Sequence, residues 1–166
     1  MTSRCLRSLV VSLAVLCTIL LSPLATAEEG HWHSIIGSWQ VIVFFDDHRP
    51  DVPALYTFDP GHTFSMGGSW PALFGPGHGV WSYHRDSGRE RDDGRTINLT
   101  FFRLLYNSAT GAFNDTLKVQ AKLTLSDDGQ SFTGRYLLTN FDPTGNVRST
   151  ATGDLNAVRI VLEPLP

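Results

Sequence analysis

Residues 116–125 read Thr-Leu-Lys-Val-Gln-Ala-Lys-Leu-Thr-Leu, and they give the clearest indication of the fold class. Apolar side chains occupy the odd positions from Leu117 to Leu125, whereas Thr, Lys and Gln occupy the even positions. Successive side chains of a β-strand point to opposite faces of a sheet, so this alternation predicts a strand with one buried and one solvated face.

The chain around this strand has the same extended character, without a sustained helical period. Turn sequences rich in Gly, Asp, Asn and Pro, at residues 108–111, 127–129 and 142–146, separate the strands. Connections this short join sequential strands as antiparallel neighbours. The long strands predicted here are Thr96–Tyr106, Phe113–Leu125, Ser131–Phe141 and Val147–Leu162.

The first half of the chain contributes shorter strands. Gly37–Phe45 is apolar on both faces, and Leu55–Phe58 pairs with Thr63–Met66 across the turn Asp59-Pro60-Gly61. Residues 67–79 contain five glycines and two prolines around Trp70 and Phe74. This composition predicts a covering loop or lid, after which Val80–His84 resumes as a strand.

About eight strands in this order predict an all-β antiparallel meander. Closure into a barrel is favoured because an open sheet would leave two long edges exposed. A two-sheet sandwich is the alternative that the same pattern allows, although sandwiches usually have longer Greek-key connections.

The N-terminal segment has the pattern of a secretory signal peptide. Arg4 and Arg7 precede an uncharged apolar stretch over residues 9–21, and the small-residue sequence Ala25-Thr26-Ala27 follows. An uncleaved membrane anchor is disfavoured because a bilayer requires about 20 apolar residues. We therefore predict cleavage after Ala27, a secreted or periplasmic location, and a single barrel domain over residues 28–166.

The composition of this domain disfavours some classes of binding partner. Cys5 and Cys17 both precede the predicted cleavage site, so the remaining chain contains no disulfide. Two of the 13 Lys and Arg residues also precede it, which leaves 11 against 16 acidic residues and a formal charge of −5. This acidic balance disfavours a nucleic acid or an anionic membrane surface as a partner.

Gly37-Ser38-Trp39 stands at the start of the first strand and Arg159 on the last. In this respect the chain resembles lipocalins and the wider calycin barrels, although it lacks their disulfide and C-terminal helix. The resemblance implies that Gly37, Trp39 and Arg159 close one end of the barrel, the guanidinium stacking on the indole. The chain is also similar to small bacterial barrel-like domains of unassigned activity, through residues 37–39, 54–58, 76–81, 128–134 and 141–146.

Motifs for common enzymatic chemistry are not found in the sequence. The histidine pairs His31/His33 and His78/His84 lack a third ligand at a convincing spacing, so no metal site is predicted. Neither a Gly-x-Ser-x-Gly elbow nor a phosphate-binding glycine loop is present. Hydrolase, kinase and nucleotide-dependent activities are therefore disfavoured, and no cofactor is predicted.

The predicted barrel interior has small residues on one wall and large ones on the other. Alternate positions from Ser149 to Ala157 are mostly small, and they oppose the larger Phe101, Leu105, Tyr136 and Leu138. This contrast is compatible with a shaped cavity or with an interdigitated solid core.

Three functions fit these observations, and the sequence leaves the oligomeric state open. The first is binding of a small hydrophobic or aromatic molecule at an aromatic mouth. The second is a cofactor-free cyclase or isomerase that acts by proximity and polarises a carbonyl. The third is a non-enzymatic interaction module with a solid barrel. The predicted mouth residues are Tyr56, Phe58, Trp70, Phe74, Trp81 and Tyr83, and the catalytic candidates are Tyr56, Tyr83, His84 and Arg103.

Overall fold

The computed structural model describes residues 34–47, 49–68, 74–84 and 95–165. The predicted signal peptide, His31, His33 and Trp70 lie outside these described residues.

The described chain forms eight antiparallel strands in one meander, and the last strand pairs with the first to close a barrel. The predicted all-β barrel is confirmed, and the sandwich alternative is wrong. The strands are β1 (Gly37–Val43), β2 (Val52–Phe58), β3 (Thr63–Gly68), β4 (Phe74–Tyr83), β5 (Thr96–Tyr106), β6 (Phe113–Leu125), β7 (Ser131–Phe141) and β8 (Val147–Arg159).

Closure depends on the ladder between β1 and β8, which runs from the pair Trp39 and Arg159 to the pair Val43 and Leu155. The predicted bounds of β5, β6 and β7 agree with the structure. Strand β8 ends at Arg159 and not at the predicted Leu162, and its last partner in the ladder with β1 is Trp39.

The lid predicted over residues 67–79 is wrong for the described part of that segment. Gly67 and Gly68 belong to β3, and β4 begins at Phe74, well before the predicted Val80. A Cβ atom built on Gly77 would lie 2.3 Å from Cγ of Met66. This glycine therefore makes room for a packed side chain inside the barrel and does not indicate a loop.

One end of the barrel, which we call the closed end, is filled by aromatic side chains. It contains the start of β1 and the end of β8. The ring centroids of Trp39 and Phe132 are 4.8 Å apart, and Phe58 lies 6.0 Å from both Phe132 and Trp81. Trp39, Phe58 and Phe132 are almost fully buried.

Arg159 covers this aromatic cluster. Its guanidinium carbon lies 4.2 Å from the centroid of the Trp39 ring, and its side chain donates hydrogen bonds to three backbone carbonyls, those of Ser34, Ile36 and Gly129. Gly37 leaves space for it, since an added Cβ would lie 2.9 Å from Nη1 of Arg159. The predicted contact between Trp39 and Arg159 is confirmed.

Candidate functional site

A cavity of about 540 Å³ occupies the opposite end of the barrel, which we call the open end. Pockets for small molecules usually measure about 300–1,000 Å³. Because the strands alternate in direction, the ends of odd-numbered strands meet the starts of even-numbered strands here. Most of the lining is apolar and includes Val43, Val52, Ala54, Met66, Phe101, Leu105, Leu117, Val119 and Leu138.

The difference in size between the two walls accounts for the cavity. Ser149 and Ala151 of β8 line it on one side, and Phe101, Leu105 and Leu138 line it elsewhere. Further along β8, Leu155 and Ala157 are buried in the core toward the closed end. The interior is thus hollow at the open end and closely packed at the closed end.

Two tyrosines help to form the inner limit of the cavity. The Tyr136 hydroxyl donates a hydrogen bond of 2.9 Å to the carbonyl oxygen of Phe44, and burial raises the pKa of Tyr136 to about 12. Tyr56 packs edge-on against Phe64, with ring centroids 5.0 Å apart, and desolvation raises the pKa of its hydroxyl well above the ordinary value. Both hydroxyls therefore remain protonated at neutral pH.

Arg103 places a positive charge in the cavity wall. It lies between Phe101 and Leu105 on β5, so the period of two turns its side chain inward. Its Nε donates a hydrogen bond of 3.0 Å to the Gly75 carbonyl, and its guanidinium carbon lies 4.9 Å from the centroid of the Phe74 ring. No carboxylate within the described residues forms an ion pair with it.

Burial lowers the pKa of Arg103, and the nearby Tyr56 acts in the opposite direction. Arginine nevertheless keeps its proton in proteins, so the cavity contains a cation at neutral pH. Arg49, the other arginine of the lining, differs because it is paired with Asp47 at 2.9 Å. The hydrogen bond from Arg49 also lowers the pKa of Asp47.

A buried polar group that was not predicted from the sequence lies near the same end. Asp115 is only 3% exposed, accepts a hydrogen bond of 3.1 Å from Nδ2 of Asn140, and lies 3.3 Å from Nη1 of Arg148. Oδ1 of Asn140, a cavity residue, has no hydrogen-bond partner in the described part of the chain. The sequence could have indicated Asn140, because it follows Leu138 by two residues and that spacing places both side chains on the inner face of β7.

The structure brings only some of the predicted site residues together. Tyr56, Phe74 and Arg103 line the cavity. The other described mouth candidates lie outside this lining: Phe58, Trp81 and Tyr83 are in or next to the aromatic cluster of the closed end.

The direction of β4 explains this placement. An even-numbered strand of the meander runs from the open end to the closed end, so the last residues of β4 lie near Trp39. The catalytic candidate His84 follows β4, where its Nδ1 lies 3.1 Å from Nδ2 of Asn98. Tyr83 and His84 are therefore separated from the cavity that contains Tyr56 and Arg103.

Across residues 34–165, apart from the undescribed gaps, no group of three or more His, Cys, Asp or Glu side chains could hold a metal ion. His78 is exposed on β4. The described residues include no helix that is both long and apolar enough to cross a membrane.

No family model, curated protein or solved structure matches the chain.

Proposed function

We propose that this protein is a binding barrel for a small hydrophobic or aromatic molecule, which occupies the cavity at the open end. The observation that carries the proposal is the cavity of about 540 Å³ with a mainly apolar lining. Burial of an apolar molecule there is favourable by roughly 25 cal/mol for each Å² removed from water. The packed closed end leaves the open end as the entrance.

The similarity to lipocalins supports the same function. Gly37, Trp39 and Arg159 have the closing geometry that the resemblance implied, and the eight-stranded meander is compatible with a lipocalin-like container. The signal-like N-terminal sequence fits a secreted or periplasmic protein that carries or sequesters its ligand. The acidic composition fits a small-molecule partner better than a nucleic acid.

A cyclase or isomerase is the second candidate, and one observation favours it. Tyr56 and Arg103 share the cavity, where a protonated hydroxyl and a guanidinium are suited to polarise a carbonyl. Recovery of the ligand unchanged after prolonged incubation would distinguish binding from turnover. The third hypothesis required a solid barrel, and the cavity at the open end disfavours it.

The test is titration of the purified protein with an apolar dye that fluoresces only in nonaqueous surroundings. We expect saturable binding of one dye per barrel, and we expect Ala151→Phe to abolish it by filling the cavity from the β8 wall. Thr133→Phe adds the same ring to an exposed position on β7 and should leave binding unchanged. Binding that persists in a folded Ala151→Phe variant would contradict the proposal.

A further inference from the structure

The charge of Arg103 is the feature of the cavity that apolar binding leaves unexplained. A guanidinium has five N–H donors, and the Nε of Arg103 uses one on the Gly75 carbonyl. Nη1 lies beside Gly68, where even an added Cβ would remain 3.6 Å away. Removing a charge from water is costly unless an opposite charge or hydrogen bonds compensate it.

Local structure gives Arg103 only part of this compensation. The Phe74 ring and one carbonyl contact it, whereas Arg49 has a full carboxylate partner in Asp47. A leucine in place of Arg103 would pack against Phe74 without the desolvation cost. A guanidinium with donors left over is therefore suited to bind an anionic group in this part of the cavity.

Tyr56 supplies a second donor to the same region. It is 3% exposed, lines the cavity, and is close enough to Arg103 for the two groups to interact electrostatically. Its hydroxyl forms no hydrogen bond with any other residue in the described ranges. A planar carboxylate, with one negative charge and two acceptor oxygens, matches one guanidinium and one hydroxyl better than a phosphate dianion does.

We propose, building on the binding function above, that the ligand is an amphipathic organic acid whose carboxylate binds Arg103 and the Tyr56 hydroxyl. Its apolar body then contacts Met66, Phe101 and Leu138, which line the same cavity. The full chain has a formal charge of −3, so its overall field does not attract anions. Selection of an acid is consequently a property of this local site.

The experiment compares two acids with their neutral methyl esters. Decanoate, naphthoate and the methyl ester of each are titrated as competitors of the bound apolar dye. The titrations are carried out on the wild type, Arg103→Gln and Arg103→Lys. We expect the wild type to bind the acids about 10- to 100-fold more tightly than the esters, which is the range for a hydrogen bond to a charged group. Arg103→Gln should weaken binding of the acids far more than binding of the esters and so remove this preference, and Arg103→Lys should retain part of it.

Arg135→Gln is the matched control because it removes the same charge from the outer surface, where Arg135 contacts Asp46 and Asp154. It should keep the full preference for acids. A second measurement requires no variant: an NMR titration of the ligand's carboxyl carbon should give a lower pKa for bound acid than for free acid. A bound carboxyl pKa at or above the free value would overturn the inference.

The outcomes separate the two proposals. If acid and ester bind with equal affinity and Ala151→Phe abolishes the binding of both, the acid site is refuted and the binding barrel remains supported. A preference for acids that survives in folded Arg103→Gln refutes the role of Arg103. Failure of acids, esters and dye alike to bind at the cavity refutes the binding function itself.

Discussion

Two arginines of this barrel illustrate how surroundings decide the role of a side chain. Arg159 donates to three backbone carbonyls and stacks on Trp39, so its charge and its plane are both satisfied within the fold. Arg103 has one hydrogen bond to a carbonyl and faces a cavity. The first is a structural residue that closes the barrel, and the second has donors to offer to a ligand.

Gly153 is a residue whose small size the structure requires. A Cβ atom there would lie 2.0 Å from the carbonyl oxygen of Phe44 and 2.6 Å from the Tyr136 hydroxyl, which are hydrogen-bonded to each other. Gly153→Ala must therefore displace backbone or break this bond. We expect a loss of about 1–3 kcal/mol in the free energy of unfolding, typical of overpacking, measured by urea denaturation.

Gly67→Ala is the control for this substitution. Gly67 is also a strand glycine, but it is exposed and an added Cβ would meet nothing within 4 Å. Its stability should change by no more than about 0.5 kcal/mol. Equal effects of the two alanines would mean that Gly153 is not closely packed.

The inward direction of Arg103 was predictable, whereas its lack of a carboxylate partner was not. The alternation of Phe101, Arg103 and Leu105 places all three on one face of a strand. Its contacts with Phe74 and Gly75 instead depend on the β4–β5 register, which shifts between Phe74 and Gly77. A single sequence does not determine such an irregularity.

At the level of whole strands, the direction of a strand predicts the position of its residues in the barrel as well as its composition does. The aromatic residues at the end of β4 resemble a binding mouth in sequence, but the meander carries that end of the strand to Trp39. Trp39 stands at the start of β1, and in a meander every even-numbered strand ends where β1 begins. This rule alone would have placed Trp81 and Tyr83, at the end of β4, near Trp39. The glycines of β4 obscured this, because they were interpreted as a loop and the beginning of the strand was missed.

The turn between β7 and β8 is organised by one carboxylate. Asp142 accepts hydrogen bonds from the backbone N–H groups of Thr144 and Asn146, at 2.9 Å each, and from the Thr144 hydroxyl at 2.7 Å. These bonds, led by the one from the Thr144 side chain, lower the pKa of Asp142 from its ordinary value of 3.8 to about 2. The carboxylate form is thus favoured in the folded protein.

This shift predicts how the turn responds to acid. Because the folded pKa is lower than the unfolded one, Asp142 stabilises the fold above about pH 4, and this contribution is lost as the pH falls to about 2. Denaturation at several pH values should give a shallower acid dependence for Asp142→Asn than for the wild type. NMR titration should show a higher Asp142 pKa in Thr144→Val, and an unchanged value would contradict the proposed cause.

In the barrel as a whole, close packing and the cavity are found at opposite ends of the barrel axis. Large aromatic rings fill the closed end, where Trp39 packs against Phe132 and Phe132 against Phe58. Small residues on β8 leave room at the open end. The meander and most strand bounds were predictable from alternation and short turns, but the cavity was not, because it depends on how unequal side-chain volumes meet across the interior.

This division predicts that one substitution has different costs at the two levels of the barrel. Leu99 is buried on β5 with 2% exposure, and Leu138 lines the cavity on β7. Leu99→Ala would open a new void in close packing and should cost about 2–5 kcal/mol of unfolding free energy. Leu138→Ala only enlarges an existing cavity, so it should cost less than about half as much in the same urea denaturation experiment. Both variants should keep the strand content of the wild type by circular dichroism, and equal losses would mean that the open end is packed as tightly as the core.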